Sequence, residues 1–510
     1  MLARCSGAAL LGLEAREVSV EVDIAPGLPG LQVVGLADAA VQESRQRVRA
    51  AIRNSHLRMP LTRVIVNLAP ADLRKEGPAF DLPIALAMLA ASSQLDPSQL
   101  QGIWCCGELG LGGELRPVRG AVALALAAHR HKARALLLPQ SNWQEAAAVE
   151  GLCVWPAASL AEALQWLRDP SGAQRQACPA VQAPLAASAA DRAELAHVLG
   201  QSHGRRALEI AAAGNHHLLL VGPPGSGKTL LASCLPGLLP ALSRSEQLEL
   251  TQLYSVAGLL DGAHGVLRMR PFRRPHHSCT GAALLGGGRQ LRPGELALAH
   301  RGVLFLDELT EFRRDVLNQL RQPLEQEEVW LCRARQRLRF PCRINLVAAC
   351  NPCPCGWSGD NERSCSCSTT QKQRYWNRLS GPLLDRIDLQ VVMHRLNGDT
   401  LAASYRGSQQ PESSQSVRKR VVAARRRMHK RNPSGCCNAQ LDADGLRTCG
   451  AIASDALLLW QRAIDQRGMS ARGSERVLRV ARTIADLDNQ ADVSTSAVAE
   501  ALSYRSFDQA

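Results

Sequence analysis

Gly222-Pro223-Pro224-Gly225-Ser226-Gly227-Lys228-Thr229 combines the residue types that can hold a chain of phosphates. Glycines let backbone N–H groups wrap the β- and γ-phosphates, Lys228 supplies positive charge, and Thr229 offers a hydroxyl to Mg2+. The apolar run from Leu218 to Val221 reads as a buried strand, and the residues from Leu230 onward as a helix. That helix would aim the positive end of its dipole at the same anion. The stretch therefore predicts a site that binds ATP with Mg2+ and hydrolyses it.

Two further strand ends, one arginine-bearing segment and one helix start supply the rest of the chemistry. Val303-Leu-Phe-Leu-Asp307-Glu308 reads as a buried parallel strand that delivers two carboxylates beside the phosphate loop. Asp307 suits the Mg2+ shell, and Glu308 suits polarisation of the attacking water. The strand from Ile344 to Cys350 ends in Asn351-Pro352, an amide placed to orient that water or touch the γ-phosphate. A plain turn before proline accounts for the same residues. In Gly381-Pro-Leu-Leu-Asp385-Arg386-Ile-Asp388, Arg386 reads either as a local salt bridge or as a finger reaching a neighbouring subunit's ATP, which requires a ring. Ser470-Ala-Arg472-Gly opens a helix from which Arg472 is expected to reach the γ-phosphate from above, with Arg476 and Arg479 as the runners-up.

The elements that must position these residues fall into three compositional segments of the 510 residues. Residues 1–168 mix strand-like and helical runs, and 169–190 form a linker rich in Pro, Ala and Gln. Residues 191–395 read as a second α/β unit, and 396–510 as a helical lid. No apolar run reaches membrane-spanning length, and no signal-peptide core opens the chain, so a cytoplasmic protein without membrane contact is expected. The 17 cysteines include the adjacent pairs Cys105-Cys106 and Cys436-Cys437, an odd count that argues against a disulfide framework. A formal net charge of +14 favours a polyanionic partner.

Taken together, these motifs resemble the magnesium-chelatase-like AAA+ proteins, and more closely their YifB/ComM group. Pro275-His276-His277, Arg292-Pro-Gly-Glu-Leu-Ala-Leu-Ala-His300 and Asn351-Pro-Cys-Pro-Cys-Gly carry the likeness further. The resemblance implies an AAA+ P-loop α/β core with a parallel sheet, followed by a helical lid. It implies a hexameric ATPase that migrates DNA branch points in recombination, notably of DNA taken up in natural transformation. It also assigns Asn351 and Arg472 as first and second sensors and Arg386 as the finger.

Residues 1–168 resemble the α+β domain of Lon proteases, through Lys75-Glu-Gly77-Pro78, the segment from Pro117 to His129-Arg130, and Leu-Leu-Leu-Pro139. Where that likeness calls for a serine nucleophile and a lysine base, this sequence has Ala79 and Val122. Neither can attack or take a proton, so no peptidase activity is expected, and a scaffolding or DNA-handling role takes its place.

Two clusters remain. Cys353-Pro-Cys355 and Cys365-Ser-Cys367 can close a tetrahedral Zn2+ site or stay as reduced loop thiols. Arg333, Arg335, Arg337 and Arg339 alternate with Cys332, Ala334, Gln336, Leu338 and Phe340, which on a strand sets the arginines on one face. A hairpin turn near 334–336 would send some of them to its tip. They read either as phosphate contacts for DNA or as a charged edge strand. The expected function is thus an ATP-driven DNA motor. A metal-insertion ATPase and a protein-remodelling ATPase are the alternatives, the latter weakened by only 4% aromatic residues for gripping a polypeptide.

Overall fold

Alternating apolar residues make the first strands: Val18, Val20 and Val22 are fully buried on one face of the strand Glu14–Ala25, which pairs antiparallel with Leu2–Leu11. The computed structural model describes residues 2–172, 193–260, 265–288, 291–333, 336–360, 362–379, 381–395, 398 and 412–506. Their contacts divide the chain into two compact units. The first gathers the described residues of 1–185, 243–268 and 332–340, and the second those of 186–242, 269–331 and 341–510. Most of the expected linker, 173–190, lies outside the described residues, as does most of the expected lid start, 399–411.

In the first unit a seven-stranded mixed sheet runs in the order Gly30–Val34, Arg63–Ala69, Glu14–Ala25, Leu2–Leu11, Ile103–Cys105, Ala135–Pro139 and Val154–Ala157. The helix Asp81–Ala91 is buried along its whole length, so its apolar residues show no polar face. Its one carboxylate, Asp81, is held by Arg47 at 2.6 Å. The helix Arg244–Ala257 comes from the middle of the second α/β segment of the sequence yet belongs to this unit. It starts with a capping box between Ser243 and Glu246 and packs on the helix Ala121–Arg130. There Ser255 accepts at its carbonyl from Gly120 N–H at 3.0 Å. Leu338 sits over the turn at Gly12, where an added Cβ would come within 3.4 Å of it.

The second unit is built on a five-stranded parallel sheet in the order Phe272–Arg273, Val303–Leu306, Asn345–Cys350, Leu218–Val221 and Leu389–Val392. The central strands are buried throughout, which is why they read as unbroken apolar runs. The helices Ser202–Gly214, Lys228–Leu238, Ser414–Arg431, Ala471–Leu487 and Thr495–Ser503 contribute to the same core as the sheet. The C-terminal helices are therefore part of this compact unit. A buried polar network ties them to it: Thr483 meets His216 at 2.8 Å, His216 meets Asp388 at 3.2 Å, and Arg431 clamps Asp486 at 2.5 Å.

Candidate nucleotide site

Sheet register brings the chemistry together. Val221 pairs with Cys350, so Gly222 and Asn351 leave adjacent strands side by side. Leu306 pairs with Ala348, which sets Asp307 next to them on the following strand. The loop 222–227 then turns into the helix that starts at Lys228. Gly227 has φ +84° at that N-terminus, a conformation a side chain would strain. At Gly222 a Cβ would lie 2.5 Å from the Met393 carbonyl oxygen, so only glycine fits.

Lys228 Nζ donates to the carbonyls of Gly222 (2.6 Å) and Pro223 (2.9 Å) and to Asn351 Oδ1 (3.3 Å). Burial pushes its pKa below the usual lysine value. An ammonium curled back on its own loop is available to an anion that offers better acceptors. Ser226 Oγ is buried and, among the described residues, has no hydrogen-bond partner. Together with the free N–H groups expected at a helix start, these features fit a phosphate chain.

Thr229 Oγ1 donates to Asp307 Oδ2 at 3.2 Å, which brings together two hard oxygen ligands that would hold Mg2+. Arg274 also donates to that carboxylate oxygen, at 2.6 Å. Glu308 stands in the left-handed region with φ +53°, and its carboxylate meets His277 Nδ1 at 3.0 Å. A non-glycine residue held there, at the end of a buried strand, marks a position where the backbone is shaped for its side chain. Arg274 and His277 were not among the residues picked out for the site from sequence. The run Arg273-Arg274-Pro275-His276-His277 was the available signal, and only the fold shows that it reaches the two carboxylates.

Arg386 and Arg472 lie elsewhere. Arg386 Nη2 pairs with Glu325 at 2.5 Å, and its Nε donates to the Arg321 carbonyl. Arg472 Nη1 approaches the same Glu325 at 3.5 Å. The helix Ala471–Leu487 thus presents Arg472 to Glu325, beside Arg386. Both arginines line a cavity of about 550 Å3 together with Glu327, Asp388, Glu475 and Arg479, and no residue of the phosphate loop is among its lining. Arg476 is spoken for by Asp388 at 2.6 Å and Arg479 by Glu475 at 3.2 Å.

The other expected groups divide. The four sulfurs of Cys353, Cys355, Cys365 and Cys367 lie within 4.8 Å of one another. The strands Glu328–Arg333 and Gln336–Pro341 form the expected hairpin. Arg337 and Arg339 are exposed on it, opposite buried Leu338 and Phe340. Arg335 lies outside the described residues, as does the side chain of Arg333. Cys332 was expected on the apolar face and is exposed instead, because Val329 and Leu331 take the buried face of its strand. The basic run after residue 414 is largely internal fastening: Arg425 donates to the Ala212 carbonyl, Arg427 to that of Asp486, and Arg420 pairs with Glu209 at 2.5 Å. In the first unit Val122 is fully buried, with its N–H facing Ser255 Oγ at 3.4 Å, and Ala79 packs against the same apolar cluster. Among the described residues all cysteines are free thiols, and no helix is long and apolar enough to cross a membrane.

A five-stranded parallel sheet with a phosphate loop on a central strand and carboxylates on a neighbouring one defines a P-loop fold of the AAA+ kind. Residues 194–401 match the family model described as magnesium chelatase, subunit ChlI; residues 20–142 match that for subunit ChlI of Mg-chelatase, and 411–505 that for its C-terminal region. The chain is 42% identical over 505 residues to the protein YifB of Escherichia coli, covering 98% of this chain and 96% of the relative. It is equally 42% identical over 500 residues to the competence protein ComM of Haemophilus influenzae, with the same coverage of 98% and 96%. The chain belongs to the YifB/ComM group of magnesium-chelatase-like AAA+ proteins, a family of ATPases. A local likeness, 30% over 145 residues, links 26% of the chain to Lon protease 2 of Bacillus subtilis and supports the Lon-like front fold.

Proposed function

We propose that this chain is an ATP-driven DNA motor that migrates branch points or separates strands during recombination, including recombination of DNA taken up in natural transformation. Lys228, Ser226 and the loop N–H groups hold the triphosphate, and Glu308 orients and polarises water toward it, with Asn351 beside the γ-phosphate position. Thr229 and Asp307 would hold Mg2+, which when bound offsets the charge of the phosphate oxygens. Arg274 must then release Asp307, and His277 must release Glu308.

The observation that carries the ring is the shared position of Arg386 and Arg472 on Glu325, in a cavity that no phosphate-loop residue lines. Arginines so placed serve a nucleotide held by another copy of the chain, which suits a homo-hexamer with ATP between subunits. The net charge of +14, exposed Arg337 and Arg339 on the hairpin, and the competence relative support DNA as the polymer moved. Ala79 and Val122 support a front unit that acts as scaffold or DNA handler without peptide hydrolysis.

The test is ATP turnover of the full chain with and without forked and single-stranded DNA across a salt series. Stimulation by DNA that falls steeply as salt rises is expected. Turnover indifferent to DNA at low salt overturns the reading in favour of a metal-insertion or protein-remodelling ATPase.

A further inference from the structure

Among the described residues of 352–368 there is neither helix nor strand, yet these residues carry four cysteines and hold the chain beside the phosphate loop. Gly356 has φ +85°, and a Cβ on it would come within 2.9 Å of Pro224 Cδ. The Pro352 carbonyl accepts from Trp376 Nε1 at 3.1 Å. A loop of this kind needs a source of order, because fixing its backbone costs conformational entropy and no apolar cluster lies among its described residues.

We propose that Cys353, Cys355, Cys365 and Cys367 form a tetrathiolate site for one zinc ion, which clamps the segment following Asn351 against the phosphate loop.

The sulfur geometry carries this assignment. Cys353 Sγ lies 3.3 Å from Cys355 Sγ and 3.6 Å from Cys365 Sγ, and Cys355 and Cys365 are also 3.6 Å apart. With Zn–S bonds of about 2.3 Å, a tetrahedron has sulfur–sulfur edges of about 3.8 Å. Two disulfides would instead sort the sulfurs into two close pairs at about 2.05 Å. These three separations are nearly equal, and Cys353 and Cys355 both approach Cys365. A group this tight has the size of a single-ion site and leaves no room for a multi-iron cluster.

The surroundings suit a doubly negative zinc–thiolate group. Backbone N–H groups of Gly356 and Ser358 face Cys353 Sγ, and those of Trp357 and Ser366 face Cys355 Sγ. Such donors orient ligating sulfurs and spread their charge. Arg363 lies 4.5 Å from the Trp357 ring centre and Arg395 5.6 Å from it, which brings two cations to the same loop. Thiolates select a soft or borderline ion, so this site does not compete with the oxygen ligands Thr229 and Asp307 for Mg2+. The metal assignment stands apart from the nucleotide reading, whereas the clamp rests on it.

The purified full-length chain is first analysed for metals, with zinc release by a mercurial reagent followed with a chromogenic chelator. About one zinc per chain is expected, and cobalt reloading should give thiolate-to-cobalt charge-transfer absorption. Cys367→Ser should weaken zinc retention about tenfold or more, while Cys279→Ser keeps it. A chain without zinc, whose four cluster thiols react freely or are found as disulfides by mass, overturns the site, and iron in place of zinc overturns the choice of metal. Binding of zinc chloride by the cobalt-free, metal-stripped wild-type chain keeps the assignment testable if the serine variant fails to fold. For the clamp, metal-stripped chain should bind a fluorescent ATP analogue about tenfold more weakly, with recovery on adding zinc. Unchanged affinity overturns the clamp. Full zinc with no nucleotide binding at any state sinks the nucleotide reading instead and leaves the metal site standing.

Discussion

Each unit takes a lysine out of water, and the two make opposite use of it. Lys75 is wholly enclosed in the first unit and donates to the Pro70 carbonyl, while Lys228 is half-buried in the second and donates to the carbonyls of Gly222 and Pro223. Burial lowers the pKa of both. Around Lys228 stand an unpartnered Ser226 hydroxyl, the Asn351 amide and the start of a long helix, all turned toward one space. Around Lys75 the backbone is closed on itself: its N–H bonds the Leu36 carbonyl at 3.3 Å and its carbonyl accepts from Asp38 N–H at 3.1 Å. A buried cation is therefore no mark of chemistry by itself. What distinguishes a site is the set of incompletely satisfied groups that converge beside it.

The sharpest way to break this contrast is to remove each ammonium. Lys228→Ala should lower ATP turnover by about a thousandfold or more, and because the Gly222 and Pro223 carbonyls it frees belong to buried residues it should also cost about 1 kcal/mol of stability. Lys75→Met should touch stability alone. Turnover of the folded protein stays close to wild type, and stability of the first unit drops by about 1 kcal/mol because the enclosed side chain loses its hydrogen bond to the Pro70 carbonyl. Turnover and urea denaturation measured on both variants check the pair. A Lys75→Met protein that keeps its midpoint but loses turnover would erase the distinction.

The same contrast explains what was legible in the sequence. The phosphate loop, Asp307-Glu308 and Asn351 were readable because each sits at the end of an unbroken apolar run, and parallel strands necessarily deliver such ends to one edge. Cys353, Cys355, Cys365 and Cys367 were readable by spacing. Arg274 and His277 were not placed, because their contacts to Asp307 and Glu308 depend on how the segment before Val303 folds back. The approach of Arg472 to Glu325 was unreadable for a related reason: helical spacing gives its neighbours on the helix but not the direction in which that helix faces. Nothing local told that the helix Arg244–Ala257 packs in the first unit. Its capping box and apolar residues satisfy helix formation equally well in either unit, and only the tertiary partners of Leu248 and Val256 decide. The fastening of the basic run from Arg418 to Arg431 is hidden in the same way, since sequence shows the charges but not the carbonyls and carboxylates of 209–212 and Asp486 that absorb them.

A third base tests the principle with a smaller effect. His217 Nδ1 accepts from the Leu346 N–H at 3.2 Å, so the ring is built into the sheet as neutral imidazole. Burial is the main cause that brings its pKa down to about 4; Arg476 and His216 push the same way, and Asp388 opposes them. Unfolded, the ring titrates near its ordinary value of about 6.5. On acidification the unfolded chain thus binds this proton first. The contribution is fully present above that ordinary value and is lost as pH falls from there toward about 4. Asp388 stays ionised through this window, because its own pKa is held well below the usual carboxylate range despite its burial, chiefly by Arg476 and His216. The urea midpoint of the second unit should therefore decline over this interval in the wild-type chain. His217→Asn places an amide oxygen where Nδ1 accepts its hydrogen bond and has no proton to take up, so its midpoint should decline less steeply. Parallel pH profiles for the two proteins would mean that the ring is not held neutral by its setting.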